Sequence, residues 1–262
     1  LKWSLCTTGF KEQTLEEAAA FAHRIGLDGI EIWLGHVEDT RERDGSSDRL
    51  RDLLNHFGLA VPMISTYANF SKSAQESIQE TQRALEFAAE IECPAVRIFA
   101  GHLPFGQVTP EEWERTASAI GQVMTRADFH GVNVAVEVHN HTFADCISGV
   151  EALLEKVGHP RLRLIFDGFN LYVDGRDQLE ALHRLYQYID HVHLKNYWWD
   201  AQNWENSVPS SVFTGDVDNR KLLGELISRG YEGYLSFEYF GEQKERCIQQ
   251  SLLEVKEMLG KR

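Results

Sequence analysis

The sequence predicts an α/β protein of the closed (β/α)8, or TIM-barrel, class, formed as a single domain over residues 1–262. Three observations lead there. Eight short apolar segments alternate with amphipathic stretches at about 33 residues per unit. The length, 262 residues, is near that of an ordinary barrel of this kind. The first strand runs into Cys6-Thr7-Thr8-Gly9-Phe10, which is not the Gly-rich phosphate turn that a doubly wound open sheet carries there.

The elements follow in order. Trp3–Cys6 is the first strand. Thr14-Leu15-Glu16-Glu17 is a capping box, after which Ala18, Phe21, Ala22 and Ile25 share a helix face and Gly26 ends it. Gly29–Trp33 and Val61–Tyr67 are the second and third strands, and Ser73 to Ile91 is helical. Ala95–Gly101 is the fourth strand; Thr109-Pro110-Glu111-Glu112 then starts a helix with Pro at its first position and acids in its first turn. Asn133–His139 and Leu162–Asp167 are the fifth and sixth strands. The near-continuous apolar run Leu162-Arg163-Leu164-Ile165-Phe166 suits a parallel strand covered by helices. His191–Asn196 is the seventh. The long insertion from Tyr197 to Val217 holds Trp198, Trp199, Trp204 and Phe213 among polar residues, as a lid or substrate wall would; a locally packed surface loop is the alternative. Asp218 caps a helix carrying Leu222, Leu223, Leu226 and Ile227, closed by Gly230. Tyr234–Phe240 is the eighth strand, and Glu242 to Leu259 the last helix.

Composition narrows the partners. Acidic residues number 40 against 26 basic ones, a formal net charge of −14, and no Lys/Arg cluster stands out. Nucleic acid and anionic membrane surfaces are therefore disfavoured. No apolar run approaches the roughly 20 residues that span a bilayer, and the start lacks a signal-peptide apolar core, so a cytoplasmic protein is expected. Cys6, Cys93, Cys146 and Cys247 lie far apart in or beside apolar runs, where buried reduced thiols are expected. Oligomeric state is left open, a homo-oligomer included.

Polar residues at the carboxyl ends of barrel strands face the active site. Each of the last four strands finishes with a potential metal ligand: Glu137, Asp167, His193 and Glu238. A carboxylate ending an apolar strand is costly to bury without a cation or hydrogen-bond partner. One such residue would suggest a structural ion pair. Four on consecutive strands, all aimed at one axis, predict one divalent metal rather than an internal hydrogen-bond network. Three carboxylates and one imidazole suit Mn2+ or Mg2+, with Co2+ or Zn2+ also compatible. With a divalent ion the set carries about −1, so a neutral polyol or ketone, or a mildly anionic substrate, can enter. Residues i and i+2 share a strand face, so His139 accompanies Glu137, and His191 and Lys195 accompany His193. His139 is a candidate general acid or base, Lys195 a candidate stabiliser of a developing oxyanion, and His191 reads as a satisfied core histidine. Glu31, Tyr67 and Arg97 hold comparable ends on earlier strands and are candidate substrate contacts, with Trp198 joining them from the insertion. Arg97 would suit a substrate carboxylate or hydroxyl cluster.

Glu137-Val138-His139, Asp167-Gly168-Phe169-Asn170, His193-Leu194-Lys195-Asn196 and Ser236-Phe237-Glu238, in this order and spacing, resemble the xylose isomerase-like TIM-barrel superfamily of sugar isomerases and epimerases. The resemblance covers essentially the whole chain. Ser4-Leu5-Cys6-Thr7, Met63-Ile64-Ser65-Thr66-Tyr67, Arg97-Ile98-Phe99-Ala100-Gly101, Glu137-Val138-His139 followed by Thr142, and Glu238-Tyr239-Phe240-Gly241 are most similar to metal-dependent 3-dehydroshikimate dehydratases. That resemblance implies substrate or catalytic roles for Tyr67, Arg97, His139 and Lys195. One departure is Asn170, where family members commonly carry a substrate-touching His. Asn hydrogen-bonds but is no general base, and its presence argues against the apurinic-site endonuclease branch with its three-zinc cluster.

The resemblance implies proton abstraction beside a carbonyl, with the metal stabilising an enediolate. Proton return to the neighbouring carbon would give isomerisation, and return from the opposite face epimerisation; both would use Glu137 and Glu238. Loss of a β-hydroxyl, with His139 acting, would give dehydration. The expected enzyme is thus a metal-dependent isomerase or epimerase of a sugar, cyclitol or related hydroxy-ketone. A lyase resembling 3-dehydroshikimate or inosose dehydratases is the alternative, and a non-catalytic sugar-binding barrel the second. A binding module has no need of all four ligands.

Overall fold

In the computed structural model, which describes residues 1–44 and 46–260, eight parallel strands close into a barrel. They are β1 (Lys2–Cys6), β2 (Gly29–Trp33), β3 (Ile64–Ser65), β4 (Ala95–Ile98), β5 (Asn133–Glu137), β6 (Leu162–Asp167), β7 (Ile189–Leu194) and β10 (Tyr234–Phe237). Around the barrel the order is β1-β10-β7-β6-β5-β4-β3-β2, with β2 pairing back to β1. The short strands β8 (Tyr197–Trp198) and β9 (Val208–Pro209) form a separate antiparallel ribbon in the long insertion.

Helices cover the outside: α1 (Leu15–Ile25), α2 (Leu34–Asp44), α3 (Asp48–Phe57), α4 (Ala74–Glu90), α5 (Pro110–His130), α6 (Ile147–Val157), α7 (Gly168–Val173), α8 (Gln178–Leu185), α9 (Asn219–Ser228) and α10 (Lys244–Gly260). The capping boxes at Thr14/Glu17 and Thr109/Glu112 both form. Asp218 caps α9, and Gly230, at φ +76° just after the C-cap Arg229, closes it, with Gly230 N bonded to Ile227 O and Tyr231 N to Leu226 O. β2 and β6 are each followed by two helices where a plain alternation has one. No helix among the described residues is long and apolar enough to cross a membrane.

Alternation sorts the strand residues. Outward positions such as Leu5, Ile30, Ile32, Val96, Val134, Val136, Leu164 and Phe237 join the main core under the helices. Inward positions divide into a small apolar cluster of Met63, Ala95, Ala135 and Ile165 and a buried polar group including Ser4, Glu31, Ser65, Arg97, His191 and Ser236. Four strands are shorter than expected. β3 is reduced to Ile64–Ser65 because Pro62 has no N–H to give; β2 reaches this segment through Ile30 N to Ala60 O at 2.8 Å and Ile32 N to Met63 O at 2.9 Å. β4 stops before Gly101, whose φ of +78° turns the chain where a Cβ would lie 2.3 Å from the Phe143 ring. β5 and β10 end at Glu137 and Phe237, so His139 and Glu238 stand just past their strands. All four cysteines are free; Cys6, Cys93 and Cys247 are buried, whereas Cys146, at the start of α6, is only half-buried.

Candidate metal centre and active site

The ends of β5, β6, β7 and β10 meet on the barrel axis. Alternation turns Glu137, Asp167 and His193 inward. Glu238 follows them because its N–H keeps the ladder going to Leu194 O at 3.1 Å. One donor atom from each of the four lies within 4.8 Å of the others, all buried. His193 Nδ1 faces Glu137 Oε1 and Glu238 Oε2 at 3.5 Å each and Asp167 Oδ2 at 3.9 Å.

Two cations separate the acids. Arg97 Nη1 lies 3.1 Å from Glu137 Oε2 and 3.5 Å from Glu238 Oε1, while its Nη2 donates to Thr66 O at 3.1 Å. Lys195 Nζ lies 2.7 Å from Asp167 Oδ2 and 2.6 Å from Glu238 Oε2. Thr8 Oγ1 donates to Glu238 Oε1 at 3.1 Å, and Asn170 Nδ2 to Glu137 Oε1 at 3.2 Å. Burial pushes the Glu137 carboxyl up, but His193 and Arg97 outweigh it and hold the group well below the usual carboxylate range. Burial likewise opposes ionisation of Glu238, and Lys195 and His193 pull it down. Asp167 is raised by burial and by the charges of Glu137 and Glu238, against Lys195. Lys195 stays protonated: burial lowers it, but Asp167 and Glu238 hold it well above the ordinary lysine value.

The donor set fits a divalent cation. His193 Nδ1 and Asp167 Oδ2 are fully buried without a hydrogen-bond partner. For Asp167 Oδ2 the nearby Lys195 ammonium supplies charge but not hydrogen-bond geometry. An unpartnered imidazole nitrogen facing three carboxylates is a cation-ready arrangement. Charge agrees. Four buried carboxylates (Glu31, Glu137, Asp167, Glu238) against Arg97 and Lys195 leave two negative charges. Burial lowers the His193 imidazole, but Glu31, Glu238 and Glu137 hold it well above the ordinary histidine value, so the ring carries a proton that a bound cation would displace from Nδ1. Three oxygen donors and one nitrogen suit Mn2+, Mg2+, Co2+ or Zn2+.

Beside the cluster opens a cleft of about 240 Å3 lined by His139, Asn140, Phe169, Asn170, Val173, Lys195, Trp204 and Phe240. His139 Nδ1 lies 2.6 Å from Asn140 O, and the ring meets Phe99 edge-on at 5.1 Å. Three expected substrate contacts are placed elsewhere. Glu31 is buried below the donors and accepts from His191, His193 and Ser65. Arg97 is 1% exposed, with both terminal nitrogens engaged by protein oxygens. Trp198 is 53% exposed on β8 and lines no part of the cleft. Tyr67, 42% exposed, does not line the cleft itself and is linked to it through Phe99, which its ring meets and which meets His139; Arg97 also lies against the ring, and Lys11 Nζ is 3.9 Å from its centroid. His191 is a satisfied buried histidine, bonded to Glu31 and Ser236.

Of the cleft walls, Phe169 and Phe240 are not singled out by the sequence, and Trp204 is one of the four insertion aromatics it offers as a lid or wall, the structure using it in place of Trp198. Phe240 lies two residues after Glu238, so the step that reaches His139 and Lys195 also reaches it. Trp204 comes from the insertion and packs 5.0 Å from the Tyr197 ring and 6.1 Å from Phe169. That insertion is anchored: Asn196 Nδ2 donates to Val212 O and Val217 O, Asn219 Nδ2 to Lys195 O, and Glu254 accepts from Ser211 and Phe213.

Known proteins share this architecture. The fructoselysine 3-epimerase of Escherichia coli O157:H7 is 24% identical over 254 residues, 91% of this chain and 90% of its own. A Bacillus anthracis structure, named as the probable 3-DHS dehydratase AsbF of petrobactin synthesis, superposes with a TM-score of 0.88 at 23% identity, covering 98% of this chain and 99% of its own. The IOLI protein, whose crystal structure carries a bound zinc atom, gives a TM-score of 0.83 at 18% identity over 100% of this chain and 99% of its own. At such identities the structural likeness is one of fold. The family model described as the xylose isomerase-like TIM barrel matches residues 19–258, and the chain belongs to that family.

Proposed function

We propose that the protein is a divalent-metal-dependent isomerase or epimerase of a small polyhydroxy carbonyl compound, acting through an enediolate. The observation that carries this is the pair Glu137 and Glu238, both favoured as carboxylates and each 3.5 Å from the free Nδ1 of His193. Glu137, Asp167, His193 and Glu238 would hold the ion, which when bound supplies Lewis acidity to a carbonyl and its neighbouring hydroxyl. Glu137 and Glu238 take a proton from the carbon beside that carbonyl and return it. Lys195 donates to the oxygen on which charge develops. Asn170 braces Glu137, and Phe169, Trp204 and Phe240 shield the cleft from water. A cleft of about 240 Å3 suits a monosaccharide or cyclitol. The family relationship, with an epimerase among the relatives, supports the same reading.

His139 favours a second reading, a dehydratase. A ring whose Nδ1 donates to Asn140 O keeps a basic Nε2, and His139 lines the cleft. In that reaction Nε2 takes the proton from the carbon beside the carbonyl and passes it to the departing β-hydroxyl, which leaves as water; the fold of AsbF accords with it. The test is a panel of ketoses, inososes and 3-dehydroshikimate incubated with Mn2+ in D2O and followed by NMR. An isomerase or epimerase should place deuterium beside the carbonyl of its substrate, with the exchange largely surviving in His139→Ala. A dehydratase should release water and lose turnover in His139→Ala with its metal retained. Epimerisation or dehydration without isotope incorporation, under conditions that release the proton to solvent, would rule out the enolisation route.

A further inference from the structure

Beneath the donor cluster lies a second group of buried titratable side chains that the proposed reaction leaves unused. Glu31, on β2, is fully buried. Its Oε1 accepts from Ser65 Oγ, and its Oε2 lies 2.9 Å from His191 Nε2. His193 Nε2 lies 3.1 Å from both oxygens. His191 Nε2 also lies 2.8 Å from Ser236 Oγ, which is paired with Ser4 Oγ. Residues of β3 and β7 thus meet the β2 carboxylate directly, with Ser236 of β10 and Ser4 of β1 behind His191. A carboxylate is an expensive way to fill a barrel interior, since its desolvation must be offset by partners. Here those partners include the back of one imidazole, whose front nitrogen, Nδ1, is unpartnered and faces Glu137 and Glu238.

We propose that Glu31 is a positioning residue for the cation site: it holds the Nε2–H of His193 and so presents a bare Nδ1 to the four-donor cluster, while Ser65 and His191 hold Glu31 itself. This rests on the metal reading given above. An ionised carboxylate can only accept hydrogen bonds, so the Nε2 it faces must carry a hydrogen, and when a cation displaces the other proton of the ring the lone pair lies on Nδ1. Carboxylate support at the far nitrogen also fixes ring orientation and raises the basicity of the near one. The amide of Glu31→Gln, nearly the same size, can instead offer an N–H to Nε2. That favours the tautomer with hydrogen on Nδ1, pointed where the cation would sit.

The test compares EDTA-stripped wild type, Glu31→Gln and Ser65→Ala by Mn2+ titration calorimetry, with thermal unfolding in EDTA run in parallel. Zn2+-loaded samples are examined by 1H–15N NMR for the low-field Nε2–H of His193. Glu31→Gln should weaken Mn2+ binding by about 10–100-fold and remove or strongly shift that resonance. Ser65→Ala, which loosens Glu31 by one donor, should weaken Mn2+ binding by about 2–10-fold. A merely structural role would lower the unfolding temperature in EDTA while leaving Mn2+ affinity and the resonance unchanged. Unchanged Mn2+ affinity in folded Glu31→Gln overturns the positioning role and leaves the metal reading standing. Should that variant not fold, unchanged affinity in Ser65→Ala overturns it equally. No Mn2+ uptake by wild type overturns the metal reading, and this inference with it.

Discussion

The two halves of the barrel close one sheet but contribute differently to the site. The later half, β5, β6, β7 and β10, sets a metal-type donor at or just beyond the end of a strand: Glu137, Asp167, His193 and Glu238. The earlier half contributes groups that touch those donors. Thr8 and Arg97 reach Glu238, Arg97 also reaches Glu137, and Glu31 lies behind His193. The later half presents the donors and, through Lys195 and Asn170, shares in holding them; the earlier half only holds them. Three carboxylates this close cannot all stay ionised in a buried site unless neighbouring cations and hydrogen bonds offset their repulsion. The difference therefore separates two consequences of mutation: loss of chemistry from the later half, loss of stability or geometry from the earlier.

The largest effect should come from the later half. Glu238→Gln should reduce solvent isotope exchange into a true substrate by about 10^2–10^4-fold, the usual contribution of a general base. Metal content measured alongside separates loss of the base from loss of the ion. Next comes Arg97→Met, which removes a buried cation from between two carboxylates. Urea unfolding in EDTA should show a loss of about 3–5 kcal/mol, as for other broken buried ion pairs. If stability is untouched and only turnover falls, the division between presenting and holding halves is wrong. Smaller still is the contrast within the insertion. Trp204→Ala should raise KM by about tenfold through loss of one apolar wall, whereas Trp198→Ala should change neither KM nor stability beyond about 0.5 kcal/mol. Equal effects would mean that both tryptophans meet the substrate.

The same division explains what could be read from the residues alone. Glu137 and Asp167 end apolar runs that leave little doubt about strand, face or direction. His193 and Glu238 follow by two-residue alternation, and the caps at Thr14, Thr109 and Asp218 carry local signals that need no partner. Glu31 and Arg97 obey the same alternation, so they were found as inward-facing groups. Their purpose is not legible, because it depends on partners far away in sequence: 160 residues for Glu31 and His191 across the barrel, and 40 for Arg97 and Glu137 on neighbouring strands. Trp204 was not told apart from the other insertion aromatics for another reason. It sits in an insertion whose course is set by hydrogen bonds from Asn196, Asn219 and Glu254, and no periodicity reports which of its aromatic residues turns inward.

In the proposed enzyme the four donors of the later half take up one divalent cation. Mn2+ titration of EDTA-stripped protein, wild type beside His193→Ala, tests it most directly. One ion per chain is expected for wild type, with uptake lost or weakened by at least about 100-fold in His193→Ala, since a ligand contributes at least as much as the groups that orient it. No uptake by wild type, or equal uptake by both proteins, would contradict it.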